Sequence, residues 1–249
     1  MSPIRLEPLS PTMGVFVSDT HRFNTDTILL AHFARPKQGE RCADFGTGCG
    51  AIPLVWLTRY RPAQICAVEL QQEAAELAVR SAQHCGVQDK LRVLHMDLRQ
   101  INEPGPRDPW LNELDLVSCN PPYKAPGTGI PNPGEGKRLA RHEETCTMWD
   151  IAKAAARTLR FGGRFCLCQR PERLTDILVT LTQNGLEPKR LRFVQARADK
   201  APKLFLLQAR RGGQPGGLVV DSPLLIANSD GSFTAEMLDI YGEYKEGHL

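Results

Sequence analysis

From residue 41 onward, short apolar runs alternate with stretches whose apolar residues recur at helical spacing, the pattern of strands joined by crossover helices. Runs at 41–45, 64–69, 91–96, 115–119 and 164–169 predict strands of a mostly parallel sheet, and the intervals 50–60, 71–85 and 147–160 predict helices. In the second helix Ala75, Ala78, Ala82 and Cys85 form a narrow small-residue stripe able to lie close against a sheet. Another helix follows Pro171 and is closed by Gly185. The runs 190–195 and 204–209 are separated only by the polar stretch 196–203, too short for a crossover, which predicts an antiparallel hairpin at the sheet edge. The expected fold class is α/β, a mostly parallel twisted sheet with an antiparallel edge hairpin. Residues 1–40 form an N-terminal extension packing on the body at 41–211, and residues 212–249 a linker and C-terminal extension. In that extension Thr234 is placed to cap a short helix with Glu236 in its first turn. Prolines and glycines from Pro122 to Gly136 predict an irregular loop.

Composition narrows the class without deciding the function. An apolar fraction of 41% with 24% charged residues excludes a disordered or coiled-coil chain. The longest apolar run, 51–57, is far short of the ~18 residues a membrane helix needs, so no membrane association is expected. An acid and two prolines occupy the first eight residues where a signal peptide places apolar residues, and the expected location is cytoplasmic. Eight cysteines show neither Cys-x2-Cys nor Cys-x4-Cys spacing, and the histidines form no ligand pattern, so no metal is expected and the cysteines read as buried thiols. The net charge of +3 conceals an asymmetry: residues 221–249 carry −5, leaving +8 on the rest. Lys189, Arg190, Arg192, Arg197, Lys200, Lys203, Arg210 and Arg211 crowd into 187–211 against two acids. Such a surplus suits a polyanionic partner, although a solvated face is the commoner origin of a charge cluster.

The candidate chemistry lies at the ends of the predicted strands. Asp44-Phe45-Gly46-Thr47-Gly48-Cys49-Gly50 closes the first strand and opens the first helix, with glycines where backbone must turn sharply or approach a ligand. A pyrophosphate favours a helix N-terminus without an adjacent acid, so Asp44 points to a cationic or zwitterionic ligand. Glu69, 23 residues after Gly46, stands where a carboxylate accepts ribose hydroxyls, and Asp97 where one accepts from an adenine amino group. The set Asp44, Gly46, Thr47, Gly48, Gly50, Glu69, Leu70, Asp97, Leu98 and Asn120 describes a pocket for an adenosine with a sulfonium amino-acid tail, as in S-adenosyl-L-methionine.

Asn120-Pro121-Pro122-Tyr123 ends the fourth strand beside that pocket. An amino nitrogen on a purine is a poor nucleophile because its lone pair is delocalised. The Asn120 amide oxygen and the Pro121 carbonyl can each accept one amino hydrogen, drawing the lone pair out of the ring, while the prolines fix both acceptors. Tyr123 offers a face on which an extruded base stacks. Lys124, Arg138 and Arg141 follow as candidate substrate contacts, with surface charge as the plainer reading of the two arginines. Asp26 and Thr27 precede the apolar Ile28 to Leu30 and are candidate helix caps beside the cofactor.

These motifs resemble the Rossmann-like S-adenosylmethionine-dependent methyltransferases of the Asn-Pro-Pro-Tyr amino-methylating group. The segment Phe23 to Phe33, Arg141-His142-Glu143, and the tail residues 223–226, Asp230-Gly231 and 239–241 extend the likeness to the bacterial tRNA1(Val) (adenine(37)-N6)-methyltransferase family. The resemblance implies an RNA adenine N6-methyltransferase acting on a tRNA anticodon stem-loop. Cys119, where Ser or Thr is common, and Lys124, where a second aromatic is frequent, depart from the family pattern. Methylation of a ribosomal guanine or a release-factor glutamine, and a non-catalytic RNA-binding role, are the competing readings.

Overall fold

The computed structural model describes residues 3–121 and 146–244. Strands β3 (Arg41–Phe45), β4 (Gln64–Glu69), β5 (Leu91–His95), β6 (Leu114–Cys119) and β7 (Leu159–Gln169) are parallel. β9 (Pro202–Arg211) runs antiparallel to both β7 and β8 (Leu186–Gln195). The order across the sheet is β8-β9-β7-β6-β3-β4-β5. The runs in β3, β4 and β6 are nearly continuous in apolar residues because both sheet faces are covered. On one face Leu29, Trp56, Leu77 and Met237 join a core built from α1 (Thr25–Ala34), α2 (Ala51–Arg59), α3 (Gln72–His84) and α6 (Ala235–Tyr241). On the other, Ile151, Ala155, Ile177 and Leu181 of α4 (Met148–Thr158) and α5 (Leu174–Gln183) pack on Phe45, Phe165 and Phe205.

Three features depart from the sequence expectation. The N-terminal segment forms a hairpin of its own, β1 (Arg5–Ser10) with β2 (Met13–Val17), tied to α3 by the Phe16 N–H donating to Ser81 Oγ at 2.9 Å. Neither Asp26 nor Thr27 caps α1: Asn24 does, its Oδ1 accepting from the Thr27 N–H at 3.2 Å. The β8–β9 hairpin is not the sheet's margin, because the tail adds β10 (Val219–Val220) and β11 (Leu224–Leu225) in parallel along β8. Among the described residues no helix is long and apolar enough to cross a membrane.

Chain direction decides where a ligand can sit. After β5 the chain returns past β4 and β3 to lay down β6 on the far side of β3, so the crossovers diverge between β3 and β6 and leave a crevice at their carboxyl ends. Arg164, paired with Leu116 of β6, donates to the Ala34 carbonyl at the C-terminus of α1 at 2.8 Å.

Candidate functional site

β3 ends in Asp44-Phe45 and leaves the sheet through Gly46, Thr47 and Gly48. The N–H groups of Gly46 and Thr47 both donate to the Val68 carbonyl, at 2.8 and 3.0 Å, folding the loop over β4. Gly46 and Gly48 have φ of 71° and 58°, the left-handed region that side chains disfavour. A Cβ on either would meet nothing within 4 Å, so these glycines present bare backbone to an open space. Gly50 differs: beside its φ of 87°, a Cβ there would stand 3.2 Å from the Ala78 Cβ. Its place in the structure is close packing of the loop against α3.

Glu69 holds the loop from the next strand. Its two oxygens accept from the Gly48 and Gln71 N–H groups, each at 2.8 Å, and the carboxylate is buried. Leu70 and Leu98 are half-buried, the Leu70 carbonyl 3.0 Å from His95 Nε2. Asp97 caps a short 3-10 turn through the Arg99 N–H at 2.8 Å and receives Arg99 Nη2 at 2.7 Å. Its carboxylate is thus already held by Arg99, which the sequence did not suggest.

Asp44 is the anomaly of the site. It is 1% exposed; Oδ1 accepts from Ser118 Oγ at 2.6 Å, while Oδ2 is buried and makes no hydrogen bond of normal geometry, the buried Thr47 hydroxyl near it being likewise unbonded. Burial is the largest influence and pushes its carboxyl up to about 7, against the opposing pull of the Ser118 and Thr47 hydroxyls; the Glu69 charge adds to the rise. A buried carboxylate oxygen without a partner is costly, and its usual explanation is a missing donor. Ser118 escaped the sequence reading, although a serine within the apolar run of β6, paired directly with Asp44 of β3, was its signal.

One strand away, Phe45 pairs with Cys119, so Asn120 and Pro121 leave β6 alongside Gly46 at the switch point. Pro121 is buried and Asn120 half-buried. Asp44, the glycine loop, Glu69 and Asn120 are thereby brought to one crevice. Pro122, Tyr123, Lys124, Arg138, Arg141, His142 and Glu143 lie outside the described residues. Among the described residues no group of side chains is arranged to hold a metal ion, and the eight cysteines carry no disulfide.

Comparison with known proteins bears on this crevice. The family model described as methyltransferase small domain matches residues 9–182. A tRNA1(Val) (adenine(37)-N6)-methyltransferase of Tolumonas auensis is 27% identical over 90% of this chain and 89% of its own length. A protein of the same name from Pedobacter heparinus is 32% identical over 58% of each chain. Among solved structures, a predicted O-methyltransferase of Agrobacterium tumefaciens superposes with a TM-score of 0.67 at 21% identity, over 88% of this chain and 97% of that one. The chain belongs to the methyltransferase small domain family.

Proposed function

We propose, from membership of the methyltransferase small domain family, that this chain transfers a methyl group from S-adenosyl-L-methionine to the exocyclic N6 of an adenine in a tRNA anticodon loop, the adenine at position 37 of tRNA1(Val). The relatives carry that activity in their names along most of the chain's length. The observation that carries the reading is the unpartnered Asp44 Oδ2 beside a bare glycine loop, one strand from Asn120.

The donor set fits the cofactor. A buried carboxylate lacking a donor matches an ammonium group, the open side of Gly46 and Gly48 admits an amino-acid tail, and Glu69 fixes the loop that shapes the ribose side. When bound, S-adenosyl-L-methionine supplies a methyl group on a positively charged sulfur. The chain's part is to place and activate the acceptor. Asn120 Oδ1 and the Pro121 carbonyl accept the two amino hydrogens of the adenine, so the N6 lone pair points at the methyl carbon instead of into the ring. With the cofactor bound, the N6–C bond would form as the methyl group leaves its sulfur, which would keep the electron pair. The nitrogen then sheds one proton to water, and no charged general base is required. A base in an anticodon loop is already unpaired, so extruding it costs a few kcal/mol at most.

Methyl transfer from labelled S-adenosyl-L-methionine into unmodified tRNA, ribosomal subunits and release factors tests this directly. The expected result is N6-methyladenosine in tRNA with the wild type. Asn120→Ala should lower kcat by about 10³-fold, roughly 4 kcal/mol. Label confined to ribosomes or release factors would overturn the substrate assignment.

A further inference from the structure

The basic surplus and the acidic tail meet in the structure. Arg192 donates to both Glu236 carboxylate oxygens, at 2.5 and 2.8 Å, and to the Ser222 carbonyl at 3.0 Å. Arg190 pairs with Asp221 at 2.5 Å and lies 4.7 Å over the Phe33 ring. The Lys189 ammonium donates to the Gln214 and Gly216 carbonyls. The cations of β8, the obvious polyanion-binding strand by sequence, are therefore occupied by the chain's own residues 214–236.

The hairpin turn is different. Residues 196–201 link β8 to β9 at the carboxyl end of the sheet, beyond the Gln195–Pro202 pair. Lys200 and Lys203 are exposed, and the Arg197 side chain is 40% exposed. Asp199 is the one acid among them, in surface pairs with Arg197 at 3.2 Å and Lys200 at 3.1 Å, which a phosphate displaces at little cost. Phe205 is level with Gln169, two residues past the β7 position that pairs with Cys119. With strands about 4.8 Å apart and rising about 3.3 Å per residue, Lys203 stands about 12–15 Å from Asn120 and the turn roughly 15–20 Å. Exposed Arg170 follows β7 between them.

We infer that the β8–β9 turn, through Arg197, Lys200 and Lys203, is the phosphate-binding edge of an RNA interface whose target base enters at Asn120, and that the acidic tail is a built-in polyanion holding RNA off β8. The inference rests on the RNA substrate proposed above. A single-stranded loop presents its phosphates on the same side as an extruded base, so cations on the rim beside the crevice serve it and cations along the strand do not.

The test compares three full-length variants for tRNA KM and its salt dependence, with cofactor affinity and melting temperature as folding controls. Combined Arg197→Gln, Lys200→Gln and Lys203→Gln should raise tRNA KM at least tenfold and flatten the log KM against log salt slope by about two. Combined Arg190→Gln and Arg192→Gln should leave tRNA KM within twofold while lowering the melting temperature. Asp221→Asn with Glu236→Gln, which releases the two arginines, should tighten tRNA binding and steepen its salt dependence. Unchanged KM in the turn variant, while the wild type methylates tRNA, overturns the inference alone, as does a large KM rise in the β8 variant. Absence of methyl transfer from the wild type to any tRNA overturns the functional reading and this inference together.

Discussion

The amino end of the central sheet pairs its half-buried carboxylates fully, whereas the carboxyl end pairs Glu69 but leaves one oxygen of Asp44 unbonded. At the amino end Asp115 accepts the Arg41 N–H at 2.8 Å and Arg160 at 2.5 Å, and Glu40 receives Arg164 at 2.6 Å and the Lys37 N–H at 2.8 Å. At the carboxyl end, only three residues along β3 from Arg41, Asp44 keeps one oxygen without a donor. The same fold satisfies its other strand-end carboxylates and leaves one Asp44 oxygen for the proposed ligand to satisfy. An unpaired buried group costs more than its paired equivalent, which is why Asp44 is the group we propose for the cofactor's ammonium.

Breaking the paired end should cost the most stability. Arg164→Met leaves Glu40, whose side chain is 13% exposed, without its ion-pair partner and the Ala34 carbonyl without the Arg164 donor. The expected loss is about 3 kcal/mol in denaturant unfolding with cofactor affinity within twofold. Asp44→Asn should do the reverse, weakening cofactor binding about 100-fold while stabilising the ligand-free protein at alkaline pH. The sign follows from the raised carboxyl: against an ordinary value of 3.8, a folded value of about 7 favours folding only while the group is protonated. That contribution is complete below about pH 4 and is lost as pH rises through 7, amounting to about 4 kcal/mol at most. The melting temperature of Asp44→Asn should therefore exceed that of the wild type at pH 8 by more than at pH 5. A smaller effect is expected of Glu69→Gln, which retains one acceptor for the two N–H groups of Gly48 and Gln71 and should weaken cofactor binding about tenfold. Ser118→Ala should be the mildest; loss of the hydroxyl that lowers the Asp44 carboxyl moves the pH midpoint of cofactor binding upward without abolishing binding.

The carboxyl end was legible in the sequence to the extent that it is built from local signals. β3 and β4 have the boundaries that the apolar runs at 41–45 and 64–69 predict, because each run is closed by a glycine loop or a charged residue. Asp44 and Glu69 lie at those strand ends, and Asn120 follows β6, whose run was predicted at 115–119. What escaped depends on residues far apart in the chain. Arg192 and Glu236 are 44 positions apart and Ser118 and Asp44 are 74, so neither pair leaves a local pattern. The β1 strand was hidden by Pro8, which breaks the alternation begun by Arg5, Leu6 and Glu7, and β10 and β11 are two residues each, below any periodicity. Gly50 shows a subtler limit: the glycine signal was visible, but its contact with Ala78 of α3 was not.

The most direct test of the unpaired carboxylate is calorimetric titration of S-adenosyl-L-methionine into wild type and Asp44→Asn between pH 5.5 and 8.5. Wild-type affinity should rise by up to tenfold per pH unit as Asp44 ionises toward pH 7, then fall above about 8 as the ligand's own amino group loses its proton. The rising limb should vanish in Asp44→Asn, leaving only the fall. A wild-type affinity that is flat between pH 5.5 and 7, or a rising limb that survives in Asp44→Asn, would contradict the assignment of Asp44 as the group that receives the cofactor's ammonium.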